Sequence, residues 1–206
     1  LNRKRAADLI PPQRKRSRAE LAADIRELTA VTMMPGGPPP AEAPGVLRVP
    51  EGSGPKPAIL VLDPKADLEA LVRAGQVVLS VPGWGAPARA GVRGDYGLAM
   101  LAALVGKNIV GLRVEEIIRA VDYLVSLPEV DRKRISARAR GIGETVALLH
   151  AAVLDERIGP VTVEEGLTSF RAGVDQPVYR GLYDAAIPGV LRRYDLGELG
   201  SLVQLR

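Results

Sequence analysis

From Ala58 onward the chain alternates short apolar runs with longer segments of helical spacing, and this alternation limits the fold more than any other feature. The runs are Ala58–Leu62 (AILVL), Gln76–Val81 (QVVLSV), Ile135–Ala139 and Val161–Val163. Between them the spacing predicts a short helix over Asp67–Arg73 and long ones over Arg113–Leu127 and Glu144–Leu154. In the second, Val114, Ile117, Ile118, Val121, Leu124 and Val125 share one face, and Pro128 stops the helix. Short strands alternating with helices fold as a parallel sheet covered on both faces. Right-handed crossovers then give a doubly wound α/β domain.

Upstream, Ser17–Val31 reads as a helix. Ser17 caps it, Glu20 completes a capping box, and Leu21, Ile25 and Leu28 recur at helical spacing. Met33–Pro44 (MMPGGPPPAEAP) cannot be regular structure. The predicted division is a basic helical N-terminal arm (1–35), a Pro/Gly linker (36–45) and an α/β domain (46–206).

The chain of 206 residues has a formal charge of +4, which raises the question of a nucleic-acid partner. Residues 1–18 hold seven basic side chains and Asp8, a net +6, so the rest carries −2. A nucleic-acid-binding fold keeps its charge on the folded body and interleaves aromatics, and this arm has none. A nucleic-acid partner is therefore not expected. No apolar stretch follows these charges, so the arm does not read as a secretory leader. No run of about 18 apolar residues predicts a membrane-spanning helix. The absence of cysteine and the single histidine, His150, exclude a disulfide scaffold, a thiolate metal site and a multi-histidine site. No cofactor is expected.

In sheets of this kind functional groups sit on the loops beyond the carboxyl ends of the strands. Those loops are Asp63-Pro64-Lys65, Pro82-Gly83-Trp84-Gly85 and Arg138-Ala139-Arg140-Gly141-Ile142-Gly143, the last running directly into a helix. Trp84, the one tryptophan, either stacks on a sugar ring or covers the sheet end.

Leu71–Gly85 (LVRAGQVVLSVPGWG) is followed in order by Gly94-Asp95-Tyr96, Gly106, Gly111-Leu112-Arg113-Val114 and Ala120-Val121-Asp122-Tyr123-Leu124. Then come Pro128-Glu129-Val130-Asp131, Arg134-Ile135, Ala151-Ala152 and Leu154-Asp155-Glu156-Arg157-Ile158. This ordered set resembles the acetyl xylan esterase-like branch of the α/β hydrolases over about Pro57–Arg206. The resemblance implies an α/β-hydrolase-like, mostly parallel sheet with helices on both faces, and a helical N-terminal extension like the arm. It also implies a G-x-S-x-G elbow between strand and helix. Here the elbow reads Ala139-Arg140-Gly141-Ile142-Gly143, with Gly141 at the nucleophile position. Asp63-Pro64 stands where many relatives have His-Gly in the oxyanion loop; a carboxylate opposes an oxyanion and Pro64 has no N–H. Ser169 falls in a segment that lines the family's pocket, so Trp84, Gly141, Ile142 and Ser169 are the ligand-pocket candidates. The family's acid and histidine lie on later loops, so relative to it the fold is expected to be C-terminally truncated at Arg206.

The remaining candidates read more simply as structure. Gly141-Ile142-Gly143 opens a dinucleotide pattern, but Val146 replaces the third glycine and Glu144 repels a pyrophosphate. His150 lies nine residues past Gly141 on one helix, about 13 Å away at ~1.5 Å per residue, among apolar neighbours. Ser53 sits in the flexible turn Glu51–Pro55. Glu115-Glu116 reads as a solvated helix start, and Glu164-Glu165 follows a strand without an evident partner.

Two functions compete: a catalytically silent esterase-like module for binding or assembly, and an active carboxylic-ester hydrolase on acetylated carbohydrate completed by further sequence or another chain. A third reading uses the basic arm on RNA or a membrane surface. A sheet with fewer strands than the family's exposes an edge, which predicts self-association or a partner chain covering it.

Overall fold

The computed structural model describes residues 16–83, 94–175 and 182–205. Five strands form one sheet: β1 (Val46–Arg48), β2 (Lys56–Leu62), β3 (Val77–Ser80), β4 (Val130–Arg140) and β5 (Val161–Glu164). Their spatial order is β1-β3-β2-β4-β5, with β1 antiparallel to β3 and all other pairs parallel. The helices are α1 (Arg18–Thr29), α2 (Leu68–Arg73), α3 (Gly94–Leu104), α4 (Ile109–Ser126), α5 (Ile142–Leu154), α6 (Phe170–Val174) and α7 (Leu196–Gly200), with 3-10 turns at Tyr183–Ala185 and Val190–Arg192. The predicted mostly parallel α/β architecture is present.

The two faces of the sheet differ. On one, Leu60, Leu79, Ile135 and Ala137 join buried residues of α4 and α5 in the main core, and Leu21 and Ile25 of α1 are buried in the same cluster. The capping box at Ser17 and Glu20 forms as predicted. Arg18 donates to the carbonyls of Ala152 and Val153 at the last turn of α5, and to Leu202. A cation at a helix C-terminus satisfies acceptors that the helix itself leaves open. Residues 36–45 carry no regular structure. On the opposite face Ile59, Val61 and Val78 form a small cluster under Leu68, Leu71 and Val72 of α2. Beside it β4 presents Ser136, Arg138 and Arg140, because successive side chains of a strand alternate between faces.

Several elements begin elsewhere than predicted. α4 starts at Ile109, where Asn108 accepts the Gly111 N–H and acts as N-cap. This puts Glu115 inside the helix rather than at a solvated start, and its Oε1 accepts from Thr32 N and Lys107 Nζ. Desolvation opposes the charged form of Glu115, but the Thr32 and Lys107 contacts outweigh it and hold the carboxyl below its ordinary range. β4 begins at Val130, yet the register jumps from Lys56↔Val130 to Ala58↔Ile135, so Asp131–Arg134 bulge out of the ladder. β1 and α3 lack sequence signals of their own. At the outer edge, Leu205 makes a parallel bridge to Val161 and Gln204 accepts the Val161 N–H at 2.8 Å, so the chain covers the start of β5 itself.

Candidate functional site

The sheet carries Asp63, Gly141 and the pair Glu164-Glu165 to one edge, at the carboxyl ends of β2, β4 and β5. Gly141 makes the turn from β4 into α5 and donates its N–H to Glu164 O at 3.0 Å; its carbonyl accepts from Thr145 at 3.1 Å. Its φ of 101° and ψ of 162° lie in a region that essentially only glycine occupies. A Cβ there would stand 3.1 Å from Glu144 Oε2. The backbone of this turn is set for a residue without a side chain.

Asp63, expected from the resemblance at the oxyanion loop, is consumed by a charge network. Its side chain is 1% exposed; Oδ1 accepts from Lys65 N at 2.9 Å and from Arg140 Nε at 3.0 Å, and Oδ2 lies 3.3 Å from Arg138 Nε. Arg138 continues to Glu164 Oε1 at 2.6 Å. Arg140 binds the other oxygen of Glu164 and reaches Glu165 at 2.7 Å, and Lys65 closes the circuit on Glu165 at 3.4 Å. The Arg140 hydrogen bond, then Lys65, hold the Glu165 carboxyl below its ordinary range. Glu164 and Glu165, without a partner legible in the sequence, are therefore both ion-paired. The alternation of β4 puts Arg138 and Arg140 on one face, which is the signal that could have found them.

On the other side of the elbow lies a pair that the sequence did not reveal. Arg113 of α4, 6% exposed, donates from Nη1 to Glu144 Oε1 at 2.6 Å. Three glycines give these groups room. A Cβ on Gly83 would lie 2.9 Å from Glu144 Oε1; one on Gly143 would collide with Asp184 Oδ2 at 2.3 Å and Arg113 Nη1 at 2.9 Å. Next to the pair is a small pocket lined by Leu62, Ile117, Ala147, Arg113, Glu116 and Glu144, with room for about one water molecule. Arg113 Nε is buried there without a hydrogen-bond partner.

The other candidates are dispersed. Ile142 opens α5, is half-buried against the main core and lends its carbonyl to Thr145 Oγ. Ser169 caps α6: its Oγ accepts from Ala172 N and donates to Asp195 Oδ2 at 2.6 Å. Asp195 also accepts from Phe170 N and Leu196 N, so the Ser169–Asp195 contact ties α6 to α7. Trp84 lies outside the described residues. Ser53 is exposed in a turn. His150 is fully buried; Nδ1 lies 2.7 Å from Val146 O, and Nε2 2.9 Å from Tyr194 Oη. The carbonyl can only accept, so Nδ1 carries the proton and Nε2 accepts from tyrosine. Burial lowers the His150 pKa to about 4, against a smaller raising effect from the Val146 hydrogen bond. It is a neutral core histidine. Among the described residues no group of three or more His, Asp or Glu is placed to hold a metal ion. No single helix among them is long and apolar enough to cross a membrane.

No protein-family model matches the chain, and no curated protein sequence does. Solved structures do. A putative acetyl xylan esterase from Bacteroides fragilis superposes with a TM-score of 0.67 at 14% identity, over 88% of this chain and 64% of that one. An acetyl xylan esterase from Paenibacillus sp. R4 gives 0.50 at 16% identity, over 85% of this chain and 68% of that one. The likeness is one of fold: the chain has an α/β-hydrolase-like fold similar to those esterases. It spans 64% of the length of the Bacteroides protein.

Proposed function

We propose that this chain is a catalytically silent esterase-like module that binds or assembles rather than hydrolyses. The observation that carries the proposal is Gly141: at the elbow, where the fold presents a nucleophile, stands a residue with no side chain and a backbone suited only to glycine. Asp63 supports it, because two arginines fix its buried carboxylate where an oxyanion needs donors. So does Ser169, whose hydroxyl is occupied as a helix cap.

The carbohydrate named in the two similar structures makes acetylated xylan the first ligand to test, both as substrate and as binding partner. Turnover of p-nitrophenyl acetate and acetylated xylo-oligosaccharides is expected to stay at the buffer rate. Ser53→Ala and Ser169→Ala should leave it there. Turnover that co-purifies with the wild-type chain would overturn the silent reading. For assembly the candidate surface is the outer edge of β5. There Val161 already pairs outward, and Val163 faces the same way because alternate residues of a strand do. Light scattering is expected to show association that Val163→Pro abolishes; a monomer at every concentration contradicts the assembly role.

A further inference from the structure

The outer side of α3 is apolar without interruption. No charged or polar side chain occurs from Gly97 to Gly106 (GLAMLAALVG). Ala102 is buried against the body, and Met100 and Leu104, one turn apart, stand on the opposite side of the helix. Leu104 is 77% exposed and Val105 73%, with Met100 and Leu101 about half exposed. Residues three and four apart on a helix are neighbours, so these side chains form one patch. A surface helix ordinarily turns charge outward, as α4 does with Arg119. The turn Tyr183–Ala185 packs against α3 and exposes Tyr183 beside it. Just beyond the helix Lys107 Nζ donates to Ala30 O at 2.8 Å, which ties this end of α3 to the end of α1.

We infer that this face of α3 docks on an anionic lipid membrane, with the basic residues 1–15 as the second attachment. Those residues hold five basic side chains against Asp8, a net +4, which equals the formal charge of the whole chain. Arg16 and Arg18 are not among the five, because both are bonded within the fold. Fifteen residues span up to about 50 Å when extended, and α1 is only about 18 Å long, so their cations can reach the surface that α3 touches. Apolar insertion and attraction to acidic headgroups are each weak alone and add on one surface. A tyrosine beside apolar side chains suits the headgroup boundary. A second copy of the chain fits less well. A patch of a few hundred Å² falls short of the roughly 800 Å² per partner in a standard protein interface, and two segments of like charge repel. The inference holds whether or not the chain hydrolyses esters, since it uses no residue of the elbow.

The test is co-sedimentation of the full chain with vesicles of phosphatidylcholine alone and of phosphatidylcholine with phosphatidylserine in equal parts. The wild type is expected to bind the mixed vesicles, and to bind phosphatidylcholine at least tenfold more weakly. Met100→Ser/Leu104→Ser should weaken binding to the mixed vesicles by roughly tenfold or more, and Leu101→Ser/Val105→Ser by a similar factor. Serine adds no charge, so such a loss reports apolar contact and not repulsion from the lipid. Arg3→Gln/Lys4→Gln/Arg5→Gln should weaken binding as well and reduce its dependence on salt. All four positions on α3 are exposed, and an unchanged thermal midpoint verifies that the serine variants fold. No binding of the wild type to either vesicle would overturn the inference. So would serine variants that bind as the wild type does, because the basic segment would then act alone. Association of the chain without lipid that the serine variants abolish would overturn it too, and would give the face to a second copy. None of these results bears on Gly141; ester turnover by the wild type would instead undo the proposed function and leave this surface standing.

Discussion

The two ends of α5 are built on opposite physics. Its inner half, Val146–Val153, is buried throughout, and its polar groups are matched: His150 lies between Val146 O and Tyr194, and Arg18 meets the carbonyls of Ala152 and Val153. Its first turn has glycines at 141 and 143, no side-chain cap, and a carboxylate that meets a buried arginine from another helix. The inner half holds the helix in place by packing; the first turn depends on charge and close backbone approach. The first turn carries an ion pair.

That contrast can be broken at either end. Leu148→Ala, deep in the core, is expected to cost about 4 kcal/mol in urea unfolding through lost burial and a cavity. A cost under about 1 kcal/mol would mean that the inner half is not close-packed. At the other end Glu144→Ala leaves the buried Arg113 without its nearest counter-charge and should cost about 3 kcal/mol in chloride. Replacing both partners by methionine should restore much of that loss, because the penalty comes from the uncompensated charge.

A pH series separates the ends again. Folded His150 is neutral, with its pKa near 4 against 6.5 when free, so the unfolded chain takes up the proton first as pH falls. The corresponding stability is fully present above about pH 6.5 and declines toward pH 4, by about 2 kcal/mol between pH 7 and pH 5. His150→Gln should flatten this part of the profile, and an unchanged profile would show that the ring is not buried neutral. The smallest effect expected is from Arg18→Ala, about 1 kcal/mol, since its side chain is 30% exposed and water can replace it at the carbonyls.

What was legible in the sequence follows from range. The strand from Ala58 and the helix through Val121 are local patterns of spacing, and each stands where its pattern placed it. β1 is three residues long after a Pro/Gly segment, and only its pairing with β3 defines it. α4 begins four residues before its predicted start because Asn108 caps it, and the prediction keyed on apolar spacing instead. The charge networks were out of reach for a different reason. Arg113 and Glu144 are 31 residues apart, and Arg140 and Asp63 are 77 apart. No local periodicity joins them; the packing of α4 on α5 brings the first pair together and the pairing of β2 with β4 the second. Read singly, Asp63 was an oxyanion-loop departure and Glu144 a group that repels phosphate, whereas in the fold both are counter-ions of buried or half-buried arginines.

The proposed silence means that no serine of the folded chain is activated to form a covalent bond to a substrate. Incubation with a fluorophosphonate, which phosphonylates activated serines, followed by intact-protein mass measurement tests it directly. The account predicts an unmodified mass for the wild-type chain. A stoichiometric adduct on any serine, reproduced by the folded protein and lost on unfolding, would contradict it.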